Sequence, residues 1–158
     1  VDIDLYVHDR ARFFYRHGNL AGLAYMSRAL DDLTPKFRLQ VFELIARCSE
    51  AGISLLIVDT LRTYAEQLIN IANGVSWTKN SKHLPQPPDS MSWAVDVAPY
   101  DIYQLHGPDK LKWDETDPVW QRIGAIGQKR IGMKWGVVDS KGNRRDLGHF
   151  EYLPKLKV

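Results

Sequence analysis

The residues best equipped for chemistry lie near the end of the chain. In Asp146-Leu147-Gly148-His149-Phe150-Glu151 a carboxylate precedes a histidine by three positions. Ser81-Lys82-His83 adds a second imidazole, and Ser92-Trp93-Ala94-Val95-Asp96-Val97 adds an acid among small neighbours. Zinc catalysis takes three protein ligands and keeps a fourth position open for water. His83, Asp96 and His149 can supply the three from separate segments, and two imidazoles with one carboxylate suit zinc. Asp146 is then the spare carboxylate and the candidate base. Zinc lowers the pKa of its water toward ~7, and a nearby carboxylate can take the proton. The single cysteine, Cys48, rules out both an internal disulfide and a thiolate zinc site.

Each of these residues also has a plainer reading. A mid-strand acid such as Asp96 needs a partner, and a salt bridge serves as well as a cation. Arg62 falls in a turn between a strand and a helix. There it either reaches into a cleft and forks onto a carboxylate or stays solvated. Spacing raises a further question at the end of the chain. Positions three apart share a face on a helix but point oppositely on a regular strand. If 144–152 is a strand, the joint use of Asp146 and His149 requires a bulge at Gly148 or a strand that begins after Asp146. His8, His17 and His106 stand in no comparable setting and read as surface or packing residues.

The elements that must carry these residues follow from pattern. Thr34-Pro35 reads as an N-cap with proline at the first helical position, and Phe37, Val41, Leu44, Ile45 and Cys48 recur at helical spacing up to Gly52. The apolar run 53–58 reads as a short buried strand. Thr63 and Glu66 have capping-box spacing, which predicts a helix to about Asn73-Gly74. Residues 75–91, proline-rich at 84–90, read as an irregular loop. Residues 92–98 alternate, with Asp96 on the face of the small residues Ser92, Ala94 and Ala98. After a loop over 99–116, Asp117-Pro118 opens a helix that Gly132 ends. A hairpin follows, with strands at 133–138 and 144–152 around the turn 139–143. The fold class expected is α+β, a small antiparallel sheet packed with helices and a zinc site in a cleft at the sheet. Asp9 to His17 and Leu20 to Leu30 read as two short helices, with Phe13, Phe14 and Tyr15 packed on the core.

Length and composition set bounds. A chain of 158 residues with 44% hydrophobic and 25% charged residues fits one globular domain that buries a core without staples. The reading is a single catalytic domain over 1–158, with 1–26 as an N-terminal extension packed on the core. No apolar run approaches the ~18–20 residues of a membrane span. The net charge is only +2, with no dense Lys/Arg stripe, which argues against nucleic-acid binding. The start, Val1-Asp2-Ile3-Asp4, has neither the basic region nor the apolar stretch of a signal peptide. It also has no initiator Met, which points to a processed or cut start.

Taken together, Ser81-Lys82-His83, Ala94-Val95-Asp96, Trp135-Gly136 and Asp146-Leu147-Gly148-His149, with Leu61-Arg62-Thr63 upstream, resemble the M15 zinc peptidases that cut peptidoglycan peptides. The likeness covers roughly 27–152. It implies that His83, Asp96 and His149 hold Zn2+, that Asp146 is the general base, and that Arg62 and Ser81 hold a substrate carboxylate or carbonyl. The aspartate base is most like the phage endolysin branch, which implies cleavage of L-Ala–D-Glu in the stem peptide. It implies a monomer made in the host bacterial cytoplasm and acting on the cell wall. A D-Ala-D-Ala carboxypeptidase or dipeptidase on the same scaffold, and a non-catalytic zinc-stabilised wall-binding module, are the alternatives. Two departures stand out. The His83-to-Asp96 interval is longer than the family's, through the Pro-rich insert, which is expected to bulge beside the cleft. Ser92 also stands where the family has glycine.

Overall fold

A computed structural model of the chain describes residues 27–101 and 114–154. The helix expected over Asp9 to His17, the helix expected over Leu20 to Leu30 as far as residue 26, the packing of Phe13, Phe14 and Tyr15, and His8, His17 and His106 lie outside the described residues; residues 27–29 are not helical, and Leu30–Asp32 form a short 3-10 turn. Helix α1 spans Pro35–Glu50, strand β1 Ser54–Asp59, α2 Tyr64–Ala72, β2 Ala94–Tyr100, α3 Val119–Ala125, β3 Lys134–Val138 and β4 Arg144–Glu151. The strands form one antiparallel sheet in the order β1-β2-β4-β3. This is the α+β architecture that the alternation of patterns predicts.

Helix α1 buries the stripe its spacing marks: Phe37, Val41, Leu44 and Cys48 are fully buried. They pack with Val95 and Val97 of β2, Trp120 and Ile123 of α3, and Phe150 of β4. Thr34 holds the N-cap position, but its side chain makes no cap bond; its hydroxyl donates to Asp89 at 2.6 Å. That bond ties the Pro-rich insert to the start of α1. Leu33 also bridges Ser92, and Leu84 is buried, so both flanks of the insert are anchored.

Strand β1 departs from expectation. It lies at the edge of the sheet, half-buried, with Leu56 38% exposed. An apolar run in a central strand is covered on both faces; here, among the described residues, one edge has no neighbouring strand. Strand β2 takes the central place instead, its residues 94–99 all buried. It also runs two residues past the expected end, through Pro99 and Tyr100.

Helix α2 begins in the predicted capping box. The Thr63 hydroxyl accepts from Glu66 N at 3.2 Å, and the Glu66 carboxylate accepts from Thr63 N. Thr63→Ala removes one of these bonds, with an expected loss of about 1 kcal/mol. A lower denaturant midpoint at unchanged slope would report it. Helix α3 opens at Asp117-Pro118 as predicted, but its last turns, Ile126–Ile131, are wound wider, with i→i+5 bonding. Gly132, at φ 84°, ends it in the left-handed conformation. Gly124 and Gly127 let this helix lie directly on the Trp135 and Phe150 rings, which a Cβ would reach at 2.2 and 2.3 Å.

The hairpin carries the irregularity the site requires. Trp135 pairs with Phe150, yet Val137 pairs with Arg145. Four residues of β4, 146–149, therefore face the single residue Gly136 of β3. The left-handed turn of the bulge sits at Asp146, φ 55°, and not at the expected Gly148. On its other side β4 is regular, with His149 directly opposite Asp96 of β2.

Candidate metal centre

The strand pairing sets two of the candidate ligands side by side. Asp96 on β2 and His149 on β4 are cross-strand partners, and His149 Nδ1 lies 2.8 Å from Asp96 Oδ1. His83 arrives from the loop after α2, its Nε2 3.2 Å from the same Oδ1 and 3.4 Å from His149 Nδ1. The longer interval between His83 and Asp96 thus does not separate them. All three side chains are buried. Among the described residues this is the one group of His, Cys, Asp or Glu that could hold a metal ion.

The donor set fits a tetrahedral ion. Ligand atoms at about 2.0–2.1 Å from zinc stand roughly 3.3 Å apart, close to the spacings here. The outer contacts also point the right nitrogens inward. His83 Nδ1 lies 2.6 Å from the Thr60 carbonyl, which can only accept, so Nδ1 carries the proton and Nε2 faces the cluster. His149 Nε2 donates to Glu151 Oε1 at 3.1 Å, which leaves Nδ1 for the cluster. Fixing the remote nitrogen in this way orients a metal-binding imidazole.

The same contacts shape the electrostatics of the cluster. Burial opposes charge on His149, but hydrogen bonds to Asp96 and Glu151 outweigh it and raise its pKa to about 10. Burial likewise opposes charge on Asp96, yet His83 and His149 hold its carboxyl well below the usual range. Glu151 is drawn down to about 2, its burial offset by His149 and by Lys134, whose Nζ stands 2.8 Å from Oε2. A cation bound at the seam between β2 and β4 would compete with a proton for His149 Nδ1.

Arg62 reaches into the cleft. Its Nε donates to Asp59, its Nη1 to Gln67 Oε1 at 3.2 Å and its Nη2 to Asp96 Oδ2 at 3.1 Å. The solvated alternative is excluded: the side chain is 11% exposed. Ser81, 8% exposed, uses its Oγ to accept from His83 N at 3.2 Å. Asp146 is half-buried on the bulge, and its charge acts on the His149 imidazole.

Four supporting residues escaped the reading of the sequence. Asp59 is 1% exposed and grips Arg62 with one oxygen, while Oδ1 has no hydrogen-bond partner among the described residues; burial raises its pKa against the pull of His83 and Arg62. An acid three residues before the arginine was its only signal. Thr60 acts through its backbone carbonyl, which leaves no signal in side-chain identity. Ser92, at the departure from glycine, sets its hydroxyl among the carbonyls of Thr60, Lys82 and Ala94 at 2.9, 3.3 and 2.8 Å. Glu151 was readable: two positions from His149 on a strand, it shares that face. Glu151→Gln is expected to weaken zinc binding 10–100-fold, measured by competition against a chromogenic chelator. Unchanged affinity would mean that Glu151 does not steer His149.

Comparison with known proteins follows the same line. A family model described as phage L-alanyl-D-glutamate peptidase matches residues 24–150. No curated protein matches the chain. Among solved structures, the L-Ala D-Glu endopeptidase ChiX of Serratia marcescens is similar at 21% identity and a TM-score of 0.55, over 86% of this chain and 94% of that one. At that identity the likeness speaks for the fold.

Proposed function

Because the chain belongs to the phage L-alanyl-D-glutamate peptidase family, we propose that it hydrolyses the L-Ala–D-Glu amide of the peptidoglycan stem peptide, as a monomer acting on the bacterial cell wall. His83, Asp96 and His149 would hold the zinc ion. The observation that carries this reading is the convergence of those three ligands, with Arg62 and Asp146 alongside, within the span the family model matches. No helix among the described residues is long and apolar enough to cross a membrane.

Zinc bound there supplies Lewis acidity toward the scissile carbonyl and an acidified water. The chain does the rest. The Asp146 carboxylate takes the water's proton and passes it to the departing amine nitrogen. Its place on the bulge supports that role, since a regular strand would aim it away from His149. Arg62, pre-set by Asp59, Gln67 and Asp96, keeps one further N–H on each Nη for a substrate carboxylate or a developing oxyanion. Ser81, whose Oγ accepts from His83 N, would be a second polar contact for the peptide. A spare carboxylate beside three ligands favours turnover over a purely structural zinc site.

Mass spectrometry of muropeptide digests, with and without chelator, tests metal, activity and bond together. The expected product is a stem peptide beginning at D-Glu, lost with chelator and restored by zinc. Release of D-Ala or D-Ala-D-Ala would overturn the choice of bond, and chelator-resistant cleavage would overturn the metal.

A further inference from the structure

Trp77 is 68% exposed, on a segment that is firmly held. Val75 N and Ser76 N both donate to the Asn70 carbonyl, at 2.8 and 3.0 Å. Gln67 Nε2 donates to Ser76 Oγ at 2.8 Å and to the Thr78 carbonyl at 2.6 Å. An indole left outside on a well-anchored segment is a standing apolar surface, and folding has gained little from it. Tyr64, 66% exposed, stands three residues before Gln67 on α2. Lys79 and Asn80 follow Trp77 and are exposed.

The segment that bears Trp77 is hydrogen-bonded through to the metal centre. The Gln67 amide that holds the Trp77 segment through its nitrogen also accepts from Arg62 Nη1 through its oxygen, and Arg62 Nη2 reaches Asp96. Two side chains thus connect the backbone beside Trp77 to a proposed zinc ligand.

We propose that Trp77, with Tyr64, is a stacking platform for a sugar ring of the glycan strand that bears the stem peptide. This inference rests on the substrate reading above. In peptidoglycan the first stem residue is amide-linked to the lactyl group of a sugar. Cutting immediately after that residue leaves one residue, about 3.5 Å of chain, between the scissile carbonyl and the lactyl link. The sugar must therefore lie beside the site. A pyranose offers an apolar C–H face and a polar edge, which match an aromatic surface bordered by Thr78, Lys79 and Asn80.

The test compares two substrates: a disaccharide-linked muropeptide and the same stem peptide without sugar. Trp77→Ala is expected to raise KM about tenfold on the first, with kcat unchanged, and to leave the second unaffected. Trp77→Phe is expected to keep most of the affinity. Equal effects on both substrates, or none on either, would overturn the proposal while leaving the peptidase reading intact. Cleavage of neither substrate by the unaltered protein would instead overturn the peptidase reading. A binding arm stands apart from turnover: saturation-transfer NMR with the GlcNAc–MurNAc disaccharide. Signal in the unaltered protein and its loss in Trp77→Ala is the expected result. Equal signals overturn the proposal, as does a Trp77 effect confined to self-association or to lipid vesicles.

Discussion

Asp146→Asn is expected to leave zinc bound and to slow peptide cleavage by two to four orders of magnitude. The size of the loss follows from what an amide cannot do: it is nearly the same shape as the carboxylate but cannot carry the water's proton to the leaving amine. The backbone should tolerate the exchange. Asp146 sits at φ 55°, and asparagine is among the few residues that occupy this region readily. The ligands His83, Asp96 and His149 keep their own contacts. The measurement pairs zinc content with steady-state turnover on muropeptide. Full activity with full metal would remove Asp146 from the mechanism; loss of metal along with activity would make it a positioning residue.

Gly148→Ala is expected to damage fold and site together. A Cβ at Gly148 would stand 2.5 Å from the Val97 carbonyl, with the Trp120 ring 3.6 Å away. Neither neighbour yields easily: one is backbone of the central strand and the other is a fully buried indole. Overpacking of this kind costs about 1–3 kcal/mol. The strain falls one residue from His149, which must stay opposite Asp96, so zinc affinity should fall as well. Thermal melts with and without zinc read both effects, and a variant that melts and binds zinc as the parent does would contradict the close approach. Asp146 and Gly148 thus divide two tasks that a single glycine seemed to hold. The aspartate supplies the left-handed turn, and the glycine supplies room for β4 to press against β2.

The legibility of the chain tracks where the information resides. Helical spacing named Phe37, Val41, Leu44 and Cys48 as a buried stripe because each side chain's identity reports its own face. The clustering of His83, Asp96 and His149 was legible for a similar reason: few residue types bind zinc, and three of them stood in a recognisable order. Strand β1 was misread as buried because an apolar run does not reveal its place in the sheet, which depends on strands that come later. Thr34 kept its predicted position but not its predicted bond, since Asp89, fifty-five residues on, competes for the hydroxyl. The contact of Thr60 with His83 passes through a carbonyl that every residue possesses, so no reading of side chains could single it out.

The contacts that hold the three candidate ligands have a consequence for the enzyme's working life. Side chains fixed by the fold do not depend on an ion to bring them together. Here strand pairing fixes Asp96 opposite His149, the Thr60 carbonyl holds His83, and Glu151 holds His149. A zinc ion lost from such a site would leave a cavity already cut to size, and rearming it would call for ion exchange rather than refolding.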